Sequence, residues 1–151
     1  MTTRWETEIS PLRRISFDSN ALVYLLEDRF PYASYVAQAV AMLERGWARG
    51  VLSAITEMEL LVQPVRERDA ATVNRMQIFF QETPNLTIRP VDRVVARRAA
   101  DVRARTRLAR LDAIIVATAL EERCDAIIGN DYVIASRSTG ISYMYLNDYA
   151  L

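Results

Sequence analysis

Short apolar runs alternate with helical stretches along almost the whole chain, and this alternation narrows the possible folds more than any other feature. Residues 14–17, 51–53, 86–88, 126–128 and 141–145 each read as a strand. Between them lie helices expected at residues 21–27, from Pro31 to about Trp47, after the second strand through Leu61 with a break at Pro64, and over residues 69–81. Gly46 and Gly50 serve as punctuation after the second of these, because glycine tolerates the backbone angles that end a helix. An Arg-rich helix from Val91 and an apolar helix over residues 112–123 follow. Strands of this length separated by helices indicate a parallel sheet buried on both faces. The expected fold class is α/β, a three-layer α/β/α sandwich around a parallel sheet of four to five strands. With 151 residues and no repeat or linker, one domain is expected over residues 1–151, with its core at about 15–146 and a short extension at 1–13.

The available chemistry is narrow. The chain has no His, all 19 of its basic residues are Arg, and Cys124 is its one cysteine. Acids stand out instead: Asp18 and Asp131 close strands, Glu59 lies on the helix after the second strand, and Asp112 opens an apolar helix. Carboxylates without a histidine base, a phosphate-binding lysine or a thiol pair suit the binding of hard divalent cations through oxygen. Parallel sheets also gather ligands beyond the carboxyl ends of their strands. The residues therefore suggest a metal-dependent enzyme acting on phosphate esters. Cys124 reads as a packed, inert thiol. The longest apolar run, residues 113–120, falls far short of the roughly 20 residues that span a bilayer. With a polar start, the expectation is a cytoplasmic protein that makes no membrane contact.

Each acid also has a structural explanation. Asp18, Asp112 and Asp131 can each cap the helix that follows, and Thr56 with Glu59 fits the spacing of a capping box. Asp112 is the hardest to dismiss, because the eight residues after it, AIIVATAL, are almost wholly apolar and draw it inward, where an unpaired charge is costly. Glu57 competes with Glu59; two positions apart on a helix, they point about 200° apart, and periodicity leaves the choice open. Nucleotide binding by a Gly-rich loop is unsupported, since neither glycine fingerprint occurs. Phosphatases of the haloacid dehalogenase type and phosphoacceptor receiver domains both depend on a lysine that the chain lacks.

Charge is balanced overall but uneven locally. Between Arg89 and Arg110 lie eight arginines and only two acids, Asp92 and Asp101. This is either a solvated helix face or a surface for an RNA backbone or an acidic partner, with Arg103, Arg105 and Arg107 as the RNA-binding candidates.

Together, these motifs resemble the PIN-domain ribonucleases, most closely the VapC-like toxins of toxin–antitoxin modules. Residues 17–27 (FDSNALVYLLE) look like the opening D-[ST]-N and its apolar helix, and residues 53–61 (SAITEMELL) like S-x-I-T-x-x-E-L-L, which selects Glu59 over Glu57. Residues 111–120 (LDAIIVATAL) match D-A-x-I-x-A-T-A, and residues 127–131 (IIGND) resemble the closing strand with its T-x-D. One position departs: Gly129 stands where the family usually has Thr or Ser, which removes a hydroxyl able to orient a water or a carboxylate. The resemblance implies an endoribonuclease using Mg2+ or Mn2+ held by Asp18, Glu59, Asp112 and Asp131, with Asn20, Asn130 and Thr118 in support. It further implies tRNA or rRNA as substrate, a cognate antitoxin and a homodimer. The alternatives are a non-catalytic PIN-fold module that binds RNA or protein, and a nuclease acting on DNA.

Overall fold

A computed structural model describes residues 1–150. Five strands, β1 (Arg14–Phe17), β2 (Arg49–Ser53), β3 (Leu86–Arg89), β4 (Ala126–Gly129) and β5 (Ser142–Tyr145), form one sheet in the order β3-β2-β1-β4-β5. Every pairing is parallel. Helix α1 (Arg4–Ile9) precedes β1; α2 (Ser19–Leu26) and α3 (Tyr32–Glu44) lead to β2; α4 (Ala54–Arg66) and α5 (Ala70–Glu82) lead to β3. Helices α6 (Arg93–Thr106) and α7 (Arg110–Glu121) then lead to β4, and α8 (Tyr132–Arg137) to β5.

The two-residue period of a strand sorts the core into two layers. Ile15, Phe17, Ala126, Ile128 and Met144 pack with Leu22, Val36, Leu43, Leu60 and Phe80 from α2 to α5. Ile127 points the other way and packs with Val95, Val102, Val116 and Ile134 from α6 to α8. The three-layer expectation is thus met, and the chain's path gives the sheet its functional end. From β1 the chain winds outward to β3, then crosses back to β4 on the other side of β1. Strand order reverses there, and the crevice beyond the carboxyl ends of β1 and β4 is the natural ligand position for such a sheet.

Several local expectations need correction. Helix α4 does not break at Pro64 but continues to Arg66 with Pro64 buried inside it. Proline in a helix interior costs about 3 kcal/mol, and here the ring is buried one turn from the helix end, so packing offsets the loss. Helix α3 stops at Glu44 rather than near Trp47, with Gly46 at φ +74° just beyond it. Gly50 is no helix stop; it lies within β2, where a Cβ would fall 2.6 Å from Leu43 Cδ1. The segment before β1 is more than an extension: Trp5 on α1 is 1% exposed in the first core layer, and its indole Nε1 donates to the Tyr35 carbonyl at 3.1 Å. Burial pushes the Cys124 thiol up to about 12, which fits an inert thiol. Among the described residues no helix is long and apolar enough to cross a membrane.

Candidate active site

Asp18 follows directly from β1, and its backbone N–H extends the parallel ladder by donating to the Ile128 carbonyl of β4 at 2.9 Å. The side chain is 4% exposed. Its Oδ1 accepts from the Ser19 N–H at 2.8 Å, and its Oδ2 accepts from the Tyr143 hydroxyl at 3.2 Å. Asp18 is therefore an N-cap, as the structural explanation held, but capping is not all it does. Burial above all, with the charges of Glu59 and Asp112 adding to it, raises its carboxyl to about 7 despite the two hydrogen bonds. A residue that only capped a helix would face solvent and ionise readily.

Glu59 reaches the same crevice from α4. The capping-box reading of Thr56 and Glu59 fails, because α4 begins at Ala54 and is capped by Ser53, whose Oγ accepts from the Ile55 N–H. Glu59 instead lies in the second turn, on the wall of a groove it shares with Leu60, Gln63 and Met76. Its Oε1 is buried and has no hydrogen-bond partner. Burial raises its carboxyl, the Ser19 side chain opposes the shift, and the charges of Asp112 and Asp131 add to it.

Asp112 is not the helix cap either. Ala109 holds that position on α7, and Asp112 lies in the first turn, half-buried. Burial raises its carboxyl, and Asp131 raises it further. Asp131 does cap its helix: Oδ1 accepts from the Val133 and Ile134 N–H groups at 2.8 and 3.1 Å. The four acids thus come from four separate connections and feel one another's charge. No three acidic or cysteine side chains stand close enough to hold one ion as they are arranged, among the described residues. The donor set still suits a hard cation, since it is all oxygen. The orphaned Glu59 Oε1 points the same way, as a buried acceptor without a donor is costly unless a positive charge meets it.

The sequence profile of the PIN domain family matches residues 15–138. This chain belongs to the PIN domain family. The match spans β1 through α8 and so includes all four acids. Comparison with curated proteins finds no match. Among solved structures, the fold resembles VapBC2 from Rickettsia felis bound to a promoter DNA fragment, at TM-score 0.70 and 14% identity over 87% of this chain and 98% of that one. A toxin–antitoxin complex from Klebsiella pneumoniae aligns at TM-score 0.63 and 24% identity, covering 87% and 97%. VapC20 from Mycobacterium tuberculosis, described as a sarcin-ricin loop cleaving toxin, aligns at TM-score 0.64 and 11% identity, covering 85% and 98%. At these identities the likeness establishes the PIN fold alone.

The remaining residues divide. Asn20 and Asn130 brace the crevice of this PIN domain: Asn20 Oδ1 accepts from the Asn130 N–H, while the Asn130 side chain donates to the Tyr24 hydroxyl and accepts from the Asn147 N–H. Thr118 is buried and gives its hydroxyl to the Ile114 carbonyl of its own helix, at 2.7 Å. Arg103 Nε donates to the Leu108 carbonyl, and Arg105 pairs with Asp101 at 3.0 Å. Arg107 ends α6 at φ +59°, exposed, with its carbonyl accepting from Arg137. Arg103 and Arg107 share the wall of a shallow surface hollow with Ala100 and Ala104. Ser19 and Tyr143 are the site neighbours that sequence reasoning passed over. The signal for Tyr143 was Gly129: a missing side chain at the end of a buried strand leaves space that another residue must fill.

Proposed function

We propose that this PIN domain is a Mg2+- or Mn2+-dependent endoribonuclease and the toxin of a toxin–antitoxin pair. One observation supports the reading: carboxylates on four inter-strand connections feel one another's charge near the switch point of the sheet, and a buried Glu59 oxygen among them lacks a partner. Asp18 and Asp112 are assigned as direct ligands, because each is drawn inward and each has its carboxyl raised. Glu59 offers Oε1 to the cation or to the attacking water. Asp131, with Oδ1 committed to its helix, offers Oδ2 and acts through water. Asp18, Glu59, Asp112 and Asp131 would hold a divalent cation, which when bound would supply an acidified water and positive charge against the phosphate. The chain's own residues set the geometry, with the β1 and β4 ends fixing Asp18 and Asp131 and the Asn20–Asn130 bond keeping the two strand ends in register.

The toxin assignment draws on the fold likeness to toxin–antitoxin complexes, and RNA as substrate on the likeness to a toxin described as cleaving the sarcin-ricin loop and on the family resemblance of the motifs. Structured RNA such as tRNA or rRNA, a masking antitoxin, a homodimer and a cytoplasmic location complete the proposal. The test is cleavage of total RNA and of DNA by purified protein in Mg2+, Mn2+ or EDTA. RNA cleavage that stops in EDTA supports the reading. Cleavage undiminished in EDTA overturns the metal mechanism, preference for DNA overturns the substrate, and binding without turnover leaves a non-catalytic module.

A further inference from the structure

Tyr143 lies on β5, two strands away from Asp18, yet its hydroxyl reaches Asp18. In the sheet register it stands opposite Ile127 of β4, so Gly129 is its diagonal neighbour on the same face. The side chain leans along β4 and crosses that strand over Gly129 to arrive at the end of β1. Only glycine permits this crossing. A Cβ at position 129 would lie 2.2 Å from the Tyr143 hydroxyl, 2.9 Å from its Cζ and 2.7 Å from Asp18 Cβ.

The hydroxyl makes two bonds there, and both are to the proposed ligand set. It donates to Asp18 Oδ2 at 3.2 Å and accepts from the Asp131 N–H at 3.0 Å. One phenol therefore bridges two acids that arrive on different strands. From these contacts we infer that Tyr143 is a positioning residue, which sets the separation and orientation of Asp18 and Asp131 for cation binding through a gap that Gly129 keeps open. A phenol is protonated at neutral pH, so the hydroxyl is present as a donor. The inference rests on the metal-site reading above. It departs from the simpler expectation that Gly129 leaves this edge without a hydroxyl, since the hydroxyl comes instead from the neighbouring strand.

The test is Tyr143→Phe, which keeps the ring in place and removes only the two hydrogen bonds. Mn2+ affinity would be measured by calorimetry, with amide hydrogen exchange in EDTA as a readout that needs no metal and no turnover. Loss of an outer partner of a metal ligand costs about 10-fold or more in metal affinity. A loss of that size is expected, together with faster exchange at the Asp131 amide. Gly129→Ala is the second variant: it keeps the hydroxyl in the chain but occupies its path, and a comparable loss of Mn2+ affinity is expected. Tyr145→Phe, on the same strand, serves as control and should bind Mn2+ as the native chain does. If the native chain binds Mn2+ and Tyr143→Phe binds it within about twofold, the inference fails while the metal-site reading stands. Native Mn2+ affinity in Gly129→Ala would also overturn it. If the native chain binds no Mn2+, the metal-site reading fails and this inference with it.

Discussion

Asp18 and Asp125 sit at opposite ends of the same strand pair, and their surroundings differ in every respect that matters for chemistry. At the amino end, Asp125 is exposed, and its Oδ2 accepts from the Arg13 and Arg14 N–H groups at 2.7 and 2.9 Å. It ties β1 to the start of β4. At the carboxyl end, Asp18 is buried, has one backbone donor and one phenol, and is crowded by Glu59 and Asp112. One acid is satisfied by the fold, and the other is held under load. A parallel sheet presents its functional end where strands hand over to helices, and here the same residue type is architecture at one end and a candidate ligand at the other.

The largest expected effect tests this contrast directly. Asp18→Asn keeps the side chain's shape but loses the ligand charge, and should reduce metal-dependent RNA cleavage by about 100-fold or more. Asp125→Asn should cleave normally and lower Tm by about 3 °C. Cleavage assays and melts on both variants check the pair, and equal activity losses would break the comparison.

A smaller effect separates neighbours on α4. Glu59→Gln should lose about 10-fold in activity and Glu57→Gln much less, because it is Glu59 that feels the other acids of the crevice. Assays at equal folded concentration decide it, and a greater loss at Glu57 would move the site to the other face of the helix.

Stability sharpens the idea of load. The Asp18 carboxyl is raised from 3.8 to about 7, so the folded chain takes up its proton more readily than the unfolded chain. In EDTA, stability should therefore be lowest above pH 7 and rise as pH falls through 7 toward 4. Asp18→Asn should flatten that slope. Asp112→Asn should raise Tm in EDTA by relieving repulsion and lose most of the gain that Mn2+ gives the native chain. Melts across pH, with and without metal, test both; a slope unchanged in Asp18→Asn would show that the load lies elsewhere.

The smallest effect is at the arginines. Replacing Arg103, Arg105 and Arg107 with Gln should weaken RNA binding across sequences and reduce the salt slope by about 0.9 for each phosphate that is no longer neutralised. Maximal cleavage should fall far less. Titrations at several salt concentrations, without metal, measure this, and an unchanged slope would return the segment to a solvated face.

Much of this was legible in the chain. Strand-helix alternation is a local pattern, since apolar runs and their breaks reflect burial and backbone preference within a few residues; all five strands lie where those runs are. The four candidate acids could be picked out for a related reason: Asp18, Asp112 and Asp131 sit at a strand end or a helix start, Glu59 lies one turn into α4, and the PIN-like motifs around them are contiguous. Local rules failed where packing outweighs preference, as at Pro64, which α4 carries through because the ring is buried, and at Gly50, which serves the fit of Leu43 against β2 rather than a helix end. Nor could sequence distinguish Asp18 as a cap from Asp18 as a ligand, because the distinction depends on what else arrives at the crevice. The link between Gly129 and Tyr143 lay furthest from local rules. Read along the chain, Gly129 is a lost hydroxyl; in the folded sheet it is the opening through which a hydroxyl from β5 crosses β4 to reach Asp18. Local pattern along the chain is enough to place the elements and to single out the candidate acids, because both are written in neighbouring residues. Which charges meet, and which donor bridges them, is set by the folded sheet, because parallel register brings together side chains more than a hundred residues apart.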